Sequence, residues 1–211
     1  MLKIEKTHFS FFLLWFSTVS VCIYLGTLLA EPLGQYLYIH NGMGSSASND
    51  GTVEWIIAFT LLVGLFMGFG QWIAINTKIK KSYGWILATP IGFSVGSFIS
   101  FWISARIELF FQDISEHEVY QWVVIFGMCA GIGIFTSICQ WIALRRNYLS
   151  SFKWSAVMTL SFLIGGVLEY LVDPSRAASF IIFSITVGLI SGIFAEPLIA
   201  RPGIQKQETA I

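Results

Sequence analysis

Six apolar stretches, at roughly 9–30, 53–76, 84–104, 119–144, 153–172 and 179–200, constrain this chain more than any motif does. As helix, at about 1.5 Å per residue, each is long enough to cross a hydrocarbon core about 30 Å thick. With 55% hydrophobic and 11% charged residues and a mean hydropathy of +0.74, 211 residues cannot cover their apolar surface with polar side chains, so lipid must cover it. The spans are helices, because an open strand edge in lipid leaves backbone groups unpaired. The expected fold is therefore a single-domain, all-α integral membrane protein of six transmembrane helices.

An internal repeat organises the six. Trp15, Trp85 and Trp154 lie 70 and 69 residues apart, and each is followed eleven positions later by a glycine: Gly26, Gly96 and Gly165. Trp122 also has a glycine at plus eleven, so this spacing is not unique to the repeat. A second marker agrees with it: Gln71-Trp72 and Gln140-Trp141 are 69 apart, each led by a glycine seven residues before the glutamine, Gly64 and Gly133. The chain reads as three tandem hairpins, approximately 9–78, 79–147 and 148–203, with a polar C-terminal tail at 204–211. Hairpins that begin and end on the same side are related by rotation about the membrane normal, which predicts a pseudo-threefold axis and not an inverted repeat. The third copy departs from the others. Gly188 and Gly192 align with Gly64 and Gly68, but Ala195-Glu196 stands where the Gln-Trp pair is expected.

Basic residues set the orientation. Lys3, Lys6, Lys78, Lys80, Lys81, Arg145, Arg146, Lys153, Arg201 and Lys206 fall on one side of six spans, and only Arg106 and Arg176 on the other. By the positive-inside rule both termini are cytoplasmic. Lys78, Lys80, Lys81, Arg145 and Arg146 are short clusters beside helix ends, the pattern of contacts to anionic lipid headgroups and not of a nucleic-acid surface. Tryptophans open the odd helices and close the even ones, so all are read as interfacial belt residues. The first run is expected to be retained as a span, since Leu28-Leu29-Ala30 lacks the small residue that a leader cleavage site wants at minus three. Cys22, Cys129 and Cys139 lie inside spans, where they read as small packing residues.

Packing is legible as small residues four apart: Cys22/Gly26, Gly64/Gly68, Gly92/Gly96, Gly127/Gly131, Ser161/Gly165 and Gly188/Gly192. Lipid supplies no hydrophobic drive between helices, so association relies on close backbone approach at such faces. Pro90 removes one ladder hydrogen bond from the third helix and predicts a kink there.

The segments Gly64-x-x-x-Gly68-x-x-Gln71-Trp72-Ile73 and Gly133-x-x-x-x-x-x-Gln140-Trp141-Ile142-Ala143-Leu144-Arg145-Arg146 resemble the G-x-x-x-G-x-x-Q-W-L-V-L-R-R hairpins of uncharacterised bacterial multi-pass membrane proteins. The similarity covers most of residues 60–170 and implies a bacterial inner-membrane location without implying an activity. The chain departs from the pattern at Ser137, where a glycine is expected, and at 76–81, where lysines replace the arginine pair.

Ionisable groups within a bilayer are costly, so they are the first candidates for chemistry. Glu169 near the outer end of the fifth span is one, with Arg106 and Glu108 on an extension of the third; an Arg106–Glu169 ion pair at the outer rim is expected. Glu196 sits before Pro197 at the inner end of the sixth span. Gln71 and Gln140 lie about one turn inside the cytoplasmic interface, where an amide can bond a neighbouring helix or a headgroup. No histidine lies in a span, and Glu116-His117-Glu118 in an outer loop has no firm ligand spacing, so no metal and no cofactor is expected. Neither H-E-x-x-H nor a glycine-rich phosphate loop is present, which argues against an enzyme. The expected role is a non-catalytic scaffold or accessory subunit that contacts lipid or a membrane protein. The competing expectation is a small-solute transporter or channel with a path between the hairpins.

Overall fold

A computed structural model describes residues 2–40, 50–79, 82–111, 117–144, 151–172 and 176–199. Among them are six helices and no strand: α1 (Leu2–His40), α2 (Asp50–Ile75), α3 (Gly84–Phe111), α4 (His117–Leu144), α5 (Ser151–Val172) and α6 (Arg176–Ile199). Five are long and apolar enough to cross a membrane, over Phe9–Ala30, Ala58–Ile75, Gly84–Ser104, Trp122–Ala143 and Lys153–Val172. The apolar stretch of α6, Ile181–Ala195, is shorter. The first connection is more helical than its length suggests. Between Ala30 and His40 only Pro32 and Gly34 oppose continuation, and α1 runs on to His40 before Asn41-Gly42.

Each helix packs against its neighbours in sequence, and α6 returns onto α1, so the six close into a ring. The inward seam of each helix repeats every fourth residue. On the odd helices it holds Trp15/Val19/Ile23, Trp85/Thr89/Phe93 and Trp154/Met158/Phe162. On the even helices it holds Val63/Met67/Gln71, Ile132/Thr136/Gln140 and Val187/Ser191/Ala195; of all eighteen only Ile132 is less than fully buried. Aromatic rings join the seams across the interior, with Phe93–Phe162 at 5.7 Å and Phe162–Phe183 at 5.6 Å between centroids. The opposite faces present Leu13, Leu65, Leu87, Ile142 and Ile193 outward, as helices surrounded by lipid require.

Glycine sets how closely the ring can draw together. A Cβ at Gly64 would sit 2.7 Å from the Cα of Pro90, and one at Gly133 would sit 2.6 Å from the Cα of Thr159. At Gly188 on α6, a Cβ would run into Ser20 Oγ on α1. Within hairpins, a Cβ at Gly96 would be 2.8 Å from Ile132 Cα, and one at Gly26 would be 2.9 Å from Phe66 Cβ. Helix α3 continues through Pro90, whose missing N–H frees the Ile86 carbonyl; that oxygen lies 3.2 Å from where a Cβ on Gly68 would stand. Gly127 differs from its expected partner Gly131, since a Cβ there meets nothing within 4 Å.

This contrast is testable in one helix pair. Gly96→Leu should destabilise the protein by about 1–3 kcal/mol through overpacking against α4, whereas Gly127→Leu should leave the melting temperature in detergent unchanged. Equal melting of both variants would show that backbone approach at Gly96 does not hold α3 to α4.

Candidate functional site

Two glutamines and three tryptophans, with Thr89 and Ser191, form one buried polar layer near the ends of α2 and α4 where the chain turns into α3 and α5. Chain geometry puts them there. Helix α2 closes with Thr77 N donating to Ala74 O at 3.2 Å and Lys78 N to Ile75 O at 2.8 Å; α3 opens with Trp85 N donating to Ser82 O at 3.0 Å. That short turn brings Trp85 back beside Gln71, fourteen residues earlier, and its indole Nε1 donates to Gln71 Oε1 at 2.8 Å. The second hairpin junction repeats the arrangement: Trp154 Nε1 donates to Gln140 Oε1 at 2.8 Å, again across fourteen residues.

The two pairs are joined across the ring. Gln140 Nε2 donates to Gln71 Oε1 at 2.8 Å and to Thr89 Oγ1 at 3.0 Å, and Thr89 Oγ1 donates to the Trp85 carbonyl at 3.0 Å. Trp15 has no glutamine opposite it, since position 195 is alanine. Its indole instead donates to Ser191 Oγ, one turn away on α6, at 3.0 Å, and Ser191 Oγ donates to Val187 O at 2.6 Å. Trp15 and Trp85 each pack edge-on against Trp154, at 5.8 and 5.7 Å between centroids. All three tryptophans and both glutamines are 0% exposed.

The interfacial-belt reading is therefore corrected for Trp15, Trp85 and Trp154, which fill the middle of the ring. An indole N–H needs an acceptor, and interfacial water and a buried amide both supply one, so residue type alone does not choose between them. The signal in the chain is the fourteen-residue interval shared by Gln71–Trp85 and Gln140–Trp154, and not the adjacency of each glutamine to Trp72 or Trp141. Trp72 packs on Tyr83 at 5.6 Å, and Trp102 is 57% exposed, as a belt residue would be.

Arg106 and Glu169 are not brought together. Helix α3 has α2 and α4 as backbone neighbours and reaches α5 through inward rings such as Phe93–Phe162, while the Arg106 guanidinium lies 4.9 Å from the Trp102 ring centroid on its own helix. A stack over an exposed indole satisfies the cation without a carboxylate, which is why the expected ion pair does not form. Glu169 is half-buried on α5, one turn from Gly166, where a Cβ would meet Cys129 Sγ. Glu196 lies in the last turns of α6. Lys78 is exposed beyond α2, with its ammonium 5.5 Å from the Phe11 ring centroid. Lys80, Lys81, Arg145, Arg146 and the tail at 204–211 lie outside the described residues, and so do the side chains of Glu108 and Glu196. No family model, curated protein or solved structure matches the chain.

Removing one member of this layer should cost more than its own bonds. Gln140→Leu leaves the Trp154 indole without its buried acceptor and is expected to destabilise by about 1–3 kcal/mol. In a double-mutant cycle with Trp154→Phe the combined loss should be smaller than the sum of the single losses, measured by reversible unfolding in mixed micelles. Strict additivity would show that the Trp154–Gln140 bond contributes nothing.

Proposed function

We propose that this chain is a non-catalytic, multi-pass protein of the bacterial inner membrane that serves as a scaffold or accessory subunit through contacts with lipid or with another membrane protein. The observation carrying this reading is the filled interior. Trp15, Trp85, Trp154, Gln71 and Gln140 occupy the middle of the ring with no exposed surface, and Phe93, Phe162 and Met158 continue the packing away from them. A conducting path along the ring axis would have to displace rings that hold one another by edge contacts and hydrogen bonds. The outer faces, apolar and broad, suit lipid or a partner span.

In this reading three hairpins surround a pseudo-threefold axis along the membrane normal, with both termini in the cytoplasm. The matching contacts Gly64–Pro90, Gly133–Thr159 and Gly188–Ser20, each displaced by one repeat, support that symmetry. Anionic headgroups on the cytoplasmic side are the lipid partners, approached by Lys78, Lys80, Lys81, Arg145 and Arg146.

Reconstituted vesicles separate this from the competing reading, a small-solute transporter or channel. Vesicles bearing the protein should be no more permeable to glycerol, amino acids or chloride than protein-free vesicles, and gentle solubilisation should recover the chain with a stoichiometric membrane-protein or lipid companion. Saturable solute uptake by the purified protein would reject the scaffold reading in favour of transport. Orientation is checked in whole cells: Asn76→Cys, exposed beyond α2, should resist an impermeant thiol reagent that labels Arg106→Cys.

A further inference from the structure

Several buried polar atoms have no partner, Thr136 Oγ1, Ser82 Oγ and Trp72 Nε1 among them, and the joined glutamine pair leaves two groups of its own unused. An indole N–H only donates, so the atom of Gln71 facing Trp85 and the atom of Gln140 facing Trp154 must be carbonyl oxygens, which fixes both amide orientations. Gln71 Oε1 accepts from both Trp85 and Gln140, which uses its two lone pairs, and both N–H groups of Gln140 are taken by Gln71 and Thr89. Gln71 Nε2, on a side chain with 0% exposure, has no protein partner for its two donors. Gln140 Oε1 accepts from Trp154 and keeps a second lone pair.

Sequence register says what these two groups face. Residue 195 holds the place in the third copy that Gln71 and Gln140 hold in the first two, and there it is alanine, buried at 0% exposure. A third glutamine would close a cycle, accepting from Gln71 Nε2 and donating to Gln140 Oε1. The alanine methyl does neither. We propose that Gln71 Nε2 and Gln140 Oε1, opposite Ala195, form a buried site for one small neutral molecule that accepts a hydrogen bond at one atom and donates at another, namely water or a carboxamide of formamide size. The site rests on the repeat register of the scaffold reading. A cation is disfavoured because Gln71 Nε2 presents N–H donors to the site and Gln140 Oε1 offers a single lone pair. A buried anion would need a compensating charge, and the groups bonded in this layer are indoles, amides and hydroxyls.

The full chain labelled with 15N-glutamine and placed in lipid nanodiscs gives a direct readout in the Gln71 side-chain amide signal, identified by its loss in Gln71→Met. This signal should show direct cross-relaxation with water, or a saturable shift on titration with formamide. The first without the second identifies water; a saturable shift identifies a carboxamide; absence of both overturns the site. In Ala195→Gln, checked for folding by its melting curve, the third amide should abolish both responses, and their persistence in the folded variant would overturn the placement opposite Ala195. If that variant does not fold, the wild-type signal alone decides. Vesicle permeability plays no part in these measurements, so loss of the site would leave the non-conducting reading standing.

Discussion

The bond from a buried indole N–H to a glutamine carbonyl is the interaction on which the arrangement of this ring depends. Away from bulk solvent an unpaired donor is costly, so each tryptophan that turns inward needs a fixed acceptor. Gln71 and Gln140 supply that acceptor at a point where the chain has just reversed, which ties the end of an even helix to the start of the next odd one. Their amides then reach each other across the ring, linking α2 to α4 although the two helix backbones are not neighbours. Low local dielectric strengthens such a chain of bonds and makes each member costly to lose.

Hydrogen bonds position the layer, but they do not by themselves bring helices to touching distance. Close approach at Gly64, Gly96 and Gly133 does that, and it lets the large inward side chains meet. The two features are complementary in register. Glycines stand on the faces between helices while Trp, Phe and Met point to the axis, so one helix turn carries a thin side for its neighbour and a bulky side for the interior. The Trp–Gln bond is built at α2–α3 and at α4–α5, and a Trp–Ser bond joins α1 to α6.

Much of this was legible in the chain. The helical class, the five long apolar helices and the close-packing role of Gly68 and Gly96 follow from apolar length and small-residue spacing, which are local properties. The direction each tryptophan faces does not follow from them. A residue four positions from Val19 and eight from Ile23 lies on their seam, but whether that seam points to lipid or to the axis is decided by all six helices together. The Arg106–Glu169 expectation failed for the same reason: both residues sit at suitable depth, yet their helices are not neighbours in the ring, and Trp102 was the nearer partner. Depth is written in sequence more plainly than azimuth.

The contact between α6 and α1 satisfies an inward indole without a glutamine. Ala195 stands on α6, and Trp15 is fully buried and edge-on to Trp154. Its indole finds Ser191 one turn along α6, a hydroxyl whose own proton goes to the Val187 carbonyl and which is therefore free to accept. The bond partner is exchangeable while the ring volume is not. A polar acceptor anywhere within reach satisfies the indole, but only an indole-sized group fills the interior where three seams converge. The Gln71 amide, by contrast, is held at its oxygen by two donors while its nitrogen stays buried without a protein partner.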